Sequence, residues 1–257
     1  MASAIIGGLL RQGMPAAKCI VVEPYAAQRE KLLADFGITA LAQPSSALTQ
    51  AQHIVWAVKP QTFREAAQSV AVHTHSALHL SVMAGITTSS MAQQLATQRI
   101  VRAMPNTPAL IGKGIAGLYA RAGVNEADKL AIEALMATTG EHLWVADESL
   151  LDAVTALSGS GPAYVFFFIE AMMRAGQSMG LSEAQSRQLS QSTFAGATEL
   201  AKQSHESPEM LRQRVTSKGG TTYAAITSMQ DHLVGQHFEQ ALRAAGARAA
   251  ELGREFG

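Results

Sequence analysis

Ile54-Val55-Trp56-Ala57-Val58-Lys59-Pro60-Gln61-Thr62-Phe63-Arg64-Glu65 sets a short apolar run directly before a proline and a helix start. The run Ile54–Val58 contains no polar residue, which is the pattern of a strand buried on both faces. Thr62, with Glu65 three residues on, reads as a capping box opening the next helix. A buried strand followed by a helix is one step of a parallel α/β sheet. The same rhythm continues on both sides. Cys19–Val22, Leu78–Val82 and His142–Val145 are further strand candidates. Ala26–Phe36 is helical and stops at Gly37, a C-cap glycine. Asn125 and Asp128 form a looser capping pair ahead of Lys129–Ala137. Residues 1–147 therefore read as a Rossmann-like, dinucleotide-binding domain.

After Asp147 the period changes to almost continuous helix. Pro162 suits the first position of a long helix, which runs through Phe166, Ile169, Met173 and Gly176 to about Met179. Ser182 with Gln185 caps another helix, and Ser207-Pro208-Glu209 opens a third. Phe238–Leu252 is Ala-rich and helix-forming. Residues 148–257 are thus expected to form a helical domain. Its long helix is apolar on nearly every side (Val165, Phe166, Phe167, Phe168, Ile169), so it has to be covered all round. A second copy of the chain is the expected cover, because uncovered apolar area marks interfaces.

Composition limits the partners. Lys+Arg and Asp+Glu are both 20 in 257 residues, which gives no electrostatic footprint for nucleic acid or an anionic membrane. Cys19 is the only cysteine, so an internal disulfide or a cysteine metal cluster is excluded, and a cytoplasmic setting is expected. No apolar run is long enough to span a bilayer. His73 and His75 have no carboxylate or thiol beside them, and no metal is expected there.

The opening is anomalous for a dinucleotide-binding unit, which starts with a strand, a Gly-rich turn and a helix. Here Ile5, Ile6, Leu9 and Leu10 already make a buried helix face, closed by Gly13, and no strand precedes it. Met1 is therefore expected to be an internal methionine of a longer natural chain. Gly159-Ser160-Gly161 follows a helical stretch and is rejected as a phosphate loop. The run Cys19–Val22 ends at Glu23, where an acidic side chain commonly accepts the adenosine ribose hydroxyls. Glu23 favours a free 2′-hydroxyl; Arg29 would counter that if it reached over.

Four motifs occur in order: Ala57-Val58-Lys59-Pro60-Gln61; Arg102-Ala103-Met104-Pro105-Asn106-Thr107-Pro108; Gly159-Ser160-Gly161-Pro162-Ala163-Tyr164-Val165-Phe166; and Val215-Thr216-Ser217-Lys218-Gly219-Gly220-Thr221-Thr222. Together they resemble the pyrroline-5-carboxylate reductases, over the whole chain apart from the family's opening strand and glycine loop. The resemblance implies reduction of 1-pyrroline-5-carboxylate to L-proline with NADPH or NADH, and a homodimer, with assembly into a decamer as the larger form. It implies that the Thr221 and Thr222 amides and the Ser217 hydroxyl hold the substrate carboxylate, and that the Thr222 hydroxyl bonds the ring nitrogen. On the residues themselves, Gly219 and Gly220 let the backbone curl so that successive N–H groups form an anion nest, and a helix starting near Thr221 adds its dipole. Ala57–Pro60 is implied to lie along the cofactor's ribose and nicotinamide, and Met104, Pro105 and Asn106 to border the nicotinamide pocket. Asn106 also reads as a purely structural turn residue.

Two positions depart from the family pattern. Lys218 stands where many relatives have proline, and Pro44-Ser45-Ser46 stands where an asparagine often reaches the cofactor; Ser45 or Ser46 is free to cap the next helix. Two other readings stay open. One is another imine or β-hydroxyacid reductase, although the long helix offers Glu170 and Arg174 and no lysine as proton donor. The other is a non-enzymatic helical dimerisation protein with a vestigial cofactor domain.

Overall fold

The computed structural model describes residues 1–256. Chain order is α1 (Ala2–Arg11), α2 (Ala26–Phe36), β1 (His53–Trp56), α3 (Phe63–Ala71), β2 (Leu78–Ser81), α4 (Thr88–Leu95), β3 (Ile100–Met104), β4 (Gly114–Ala120), α5 (Glu126–Ala137), β5 (Gly140–Trp144) and α6 (Leu150–Val154). A π-helical turn, Thr155–Gly159, follows. The remaining helices are α7 (Gly161–Ser178), α8 (Glu183–Gln203), α9 (Pro208–Arg214), α10 (Thr221–Asp231) and α11 (Val234–Phe256). Two compact units result: Met1–Ser160 with the chain from Ala244 onward, and Gly161–Arg243. The change of rhythm in the sequence lies at 147; the division between units lies after Ser160, and the end of α11 belongs to the first unit.

The first unit is built on one five-stranded sheet of order β1-β2-β3-β4-β5. The pairs β1/β2, β2/β3 and β4/β5 are parallel, and β3/β4 is antiparallel. Alternate residues of a strand point to opposite faces. Leu78, Leu80, Val101 and Ala103 therefore share a face, buried with Ile132 and Met136 of α5. Trp56 and Ile100 line the opposite face with Phe63, Ala67 and Val70 of α3 and Met91 and Leu95 of α4. Phe256, at the end of α11, packs against this second cluster. Fully burying a side chain such as Leu80 contributes about 1.5–3 kcal/mol, so these two layers hold the sheet.

One polar pair interrupts the second face. The Trp56 indole Nε1–H donates to His79 Nδ1 at 2.9 Å, and Nε2 of the same ring lies 3.3 Å from the Thr74 carbonyl. Indole is only a donor, so Nδ1 is the accepting nitrogen and Nε2 carries the hydrogen. Burial pushes the His79 pKa down to about 4.

Most local expectations hold. Gly37 closes α2 in the left-handed region (φ 67°). Asn125/Asp128 and Ser182/Gln185 are complete capping boxes. The Ser207 hydroxyl accepts the Met210 amide at the start of α9. The Ser45 hydroxyl accepts the Ala47 amide at a short 3-10 turn. Three expectations are corrected. Thr62 caps nothing: its hydroxyl donates back to the Lys59 carbonyl at 3.0 Å, because Pro60 starts a 3-10 turn that carries the chain into α3. Cys19–Val22 is a single parallel bridge, Val22 to Leu41, not a strand: the Leu41 amide donates to the Val21 carbonyl and the Glu23 amide to the Leu41 carbonyl, while the Cys19 amide closes the preceding turn on Ala16. The sheet is not wholly parallel, for β4, rich in glycine and alanine and so unlike a β-branched run, inserts antiparallel beside β3.

In the helical unit, α7 and α8 pack at a close crossing: a Cβ on Gly176 would lie 2.7 Å from Ser186 Oγ. Tyr164 and Phe168 of α7 each meet the Phe238 ring edge-on, with centroids 5.7 and 5.5 Å apart. Between Gly161 and Arg243 the fully buried residues are Gly176, Ser186 and Ser190, all small. Phe166 and Phe167 are 58% and 61% exposed. No described helix is long and apolar enough to cross a membrane.

Candidate active site

The turn between α9 and α10 has the geometry the sequence suggests. Gly219 adopts φ 76°, in the left-handed region where glycine is strain-free. The turn closes with the Gly220 amide donating to the Ser217 carbonyl at 3.0 Å. A Cβ on Gly220 would sit 2.9 Å from Ser217 Oγ, so the missing side chain is what lets that hydroxyl lie against the backbone. Gly220 is the N-cap of α10 and supplies no side-chain cap, and the first turn carries no acidic residue. The first intrahelical bond runs from Ala224 N to Gly220 O. The amides of Thr221, Thr222 and Tyr223 thus lack intrahelical acceptors. They form, with the Ser217 hydroxyl, a donor cluster at the positive end of a helix, suited to a small carboxylate. Ser217, Lys218, Gly219 and Thr221 are exposed, and Thr222 is half-buried.

The other candidate residues lie in the first unit. Ala57, Val58 and Lys59 are exposed just beyond the C-terminal end of β1, and Pro60 begins the 3-10 turn after it. Met104 ends β3, and Pro105 and Asn106 are buried. The Asn106 side chain is committed to protein: Oδ1 accepts the Ile115 amide at 3.0 Å and Nδ2 donates to the Ser158 carbonyl at 3.2 Å. Asn106 therefore ties the loop after β3 to β4 and to the π-turn. The Glu23 carboxylate accepts the Tyr25 amide at 2.9 Å, while Arg29 Nη1 donates to the Glu23 and Pro24 carbonyls. Arg29 does reach over the loop where Glu23 sits. Glu170 and Arg174 pair with each other on the exposed side of α7, 3.6 Å apart.

Nothing in the local sequence pattern marks Thr88 and Glu148, sixty residues apart, yet they meet. Glu148 Oε1 accepts the Thr88 amide (2.8 Å) and Arg102 Nη1 (3.0 Å), and Oε2 accepts the Thr88 hydroxyl (2.6 Å). The available signal was Arg102 itself: a guanidinium inside an apolar strand run demands a buried acceptor.

Known proteins place these features in one context. A family model described as pyrroline-5-carboxylate reductase dimerisation matches residues 148–252, and one described as NADP oxidoreductase, coenzyme F420-dependent, matches residues 1–85. The pyrroline-5-carboxylate reductase of Pseudomonas aeruginosa is 42% identical over 259 aligned residues, covering 100% of this chain and 95% of its own. The structure of a pyrroline-5-carboxylate reductase from Coxiella burnetii superposes with a TM-score of 0.90 at 32% identity, over 98% of this chain and 94% of its own. The Plasmodium falciparum pyrroline carboxylate reductase with NADP bound gives a TM-score of 0.83 at 26% identity, over 98% and 96%.

Proposed function

This chain belongs to the pyrroline-5-carboxylate reductase family, and we propose that the Ser217–Thr222 turn holds its substrate while the strand-end segments Ala57–Pro60 and Met104–Asn106 line its cofactor. The reaction is reduction of 1-pyrroline-5-carboxylate to L-proline, the last step of proline biosynthesis, with NADPH or NADH. The cofactor supplies the hydride. The chain's own residues have to grip the carboxylate, orient the ring and satisfy the nitrogen as the C=N bond becomes a C–N bond.

The turn suits the first two tasks. The amides of Thr221 and Thr222 and the Ser217 hydroxyl are donors converging at one helix end, with no protein carboxylate in the first turn to compete. Gripping the carboxylate fixes the ring, and placement of the reacting carbon accounts for a large part of the rate. The Thr222 hydroxyl is assigned to the ring nitrogen, where its hydrogen bond strengthens as the nitrogen becomes an amine.

The chain also fits a nicotinamide dinucleotide. Exposed backbone beyond β1 and the loop after β3 stand at the C-terminal ends of parallel strands, where open sheets bind ligands. We assign Glu23 and Arg29 to the adenosine ribose. The Arg29 guanidinium, anchored on two carbonyls, favours the 2′-phosphate of NADPH over the bare hydroxyl of NADH. The chain is a homo-oligomer; the exposed α7 aromatics support a homodimer through the helical unit, with a decamer as a higher assembly, in the cytoplasm.

The observation carrying this reading is the turn itself: left-handed Gly219, a Gly220 without room for a side chain, and unpaired amides beside two hydroxyls. Thr222→Ala tests it. Proline formation should fall about 10²-fold, the lower range for a group acting in the transition state, with cofactor affinity unchanged. Unaltered turnover would remove Thr222 from the mechanism.

A further inference from the structure

Two loops leave the C-terminal ends of β2 and β3, the neighbouring parallel strands at the middle of the sheet. One carboxylate ties the end of the first loop to β3 itself, just before the second loop begins. Thr88, at the end of the β2 loop and the start of α4, gives Glu148 its amide and its hydroxyl. Arg102, two residues before Met104, gives it a guanidinium N–H. Thr88 and Arg102 are 1% and 5% exposed, and the Glu148 side chain 19%.

A largely buried ion pair is a weak source of stability, since apolar replacements of similar volume are often as stable or more so. A three-donor contact does supply fixed geometry. A carboxylate bonded to a backbone amide, a hydroxyl and a guanidinium has little freedom to shift; the first two donors come from Thr88 at the end of the β2 loop and the third from Arg102 in β3. The β3 loop is pinned a second time by Asn106, to Ile115 and Ser158. Among the described residues no other side-chain hydrogen bond ties the loop after β2 to β3 or β4, and Gly85 within it is left-handed (φ 75°).

We propose that Glu148 is a positioning residue of the reductase site: through Thr88 and Arg102 it locks the loops after β2 and β3 in one relative arrangement, and so shapes the cofactor side. This rests on the reductase reading above, and the test separates the two. Glu148→Gln puts an amide donor against other donors. Thr88→Val removes the hydroxyl at nearly constant volume, and Thr88→Ser restores it.

Native-state hydrogen exchange and steady-state kinetics are measured on the parent and all three variants. Glu148→Gln and Thr88→Val are expected to exchange about tenfold faster at residues 84–87 and at Met104 and Asn106, the scale of one lost charge-assisted hydrogen bond. Exchange in α8 stays at the parent rate, and Thr88→Ser matches the parent throughout. The KM for NADPH rises about tenfold with kcat held within about threefold, a loss of uniform binding, while the KM for the imino acid is unchanged. Uniformly faster exchange with parental KM values would mean that Glu148 only stabilises the fold, and overturns the proposal. So would unchanged exchange in both loops. A parent chain inactive toward the imino acid overturns the reductase reading instead, and the exchange pattern still decides whether Glu148 couples the loops.

Discussion

Single residues carry two separate duties in this chain. Gly220 is chosen by what it lacks. A Cβ there would lie 2.9 Å from Ser217 Oγ and 3.2 Å from Ser217 O, so Gly220→Ala has to push the hydroxyl off the donor cluster. The turn is exposed, and the cost falls on binding: the KM for the imino acid should rise about tenfold, the worth of one hydrogen bond to a charged group, with the melting temperature almost unmoved. A KM equal to the parent's would show that Ser217 does not contact substrate. His79 has a structural duty. It is 1% exposed, neutral, and accepts from Trp56. Its folded pKa of about 4 lies below the ordinary 6.5. Between these values the unfolded chain binds the proton and the folded chain does not. Stability from this group is therefore complete above about pH 6.5 and is lost as pH falls toward 4, by at most about 3 kcal/mol. Urea unfolding from pH 7 to 4 should show a steeper decline for the parent than for His79→Gln; parallel declines would assign the acid sensitivity elsewhere.

Elements are delimited by caps, and two similar signals behave differently. Asn125 and Asp128 cap α5 reciprocally, with the Asn125 side chain accepting the Asp128 amide at 2.9 Å. Asp128 also takes two bonds from Arg99, whose guanidinium holds its carboxyl below the usual range. Thr62 satisfies the same sequence rule before α3 and makes no cap. Asn125→Ala should cost about 1 kcal/mol and Thr62→Ala only a few tenths, measured by chemical denaturation. Equal losses would contradict the assigned hydrogen bonds. At the α7/α8 crossing, the buried Ser186 hydroxyl has no hydrogen-bond partner among the described residues. Close approach at Gly176 is obtained there at the expense of an unpaired polar atom.

The whole molecule explains why the helical unit cannot stand alone. From Gly161 to Arg243 no large apolar side chain is fully buried, while Phe166, Phe167, Met179 and Leu189 are each more than half exposed. Isolated helices gain most of their stability from packing, and a unit with only Gly176, Ser186 and Ser190 inside lacks that packing. The proposed homodimer would lay a second copy against these aromatics. Phe166→Glu with Phe167→Glu should weaken self-association at least about a hundredfold, since buried aromatic anchors dominate interfaces. Sedimentation velocity would then show monomer where the parent sediments as a dimer or larger. An oligomer that survives the double variant would place the interface elsewhere.

Local chemistry was legible in the sequence wherever a short stretch determines its own conformation. Gly37, Asn125/Asp128, Ser182/Gln185 and Ser207 end or start helices as written, and the paired glycines before Thr221 announce a curled turn and a helix start, because backbone sterics and capping bonds act within a few residues. The alternation of buried runs and helices, and its end after 147, likewise follows from side-chain period. Only the tertiary structure decided that β4 runs antiparallel beside β3, that Cys19–Val22 makes one bridge, that Asn106 is committed to Ile115 and Ser158, and that Arg102 finds Glu148 and Thr88. Each of these depends on a partner at least nine residues away, and such pairings are set by the packing of the whole sheet, which no local pattern encodes.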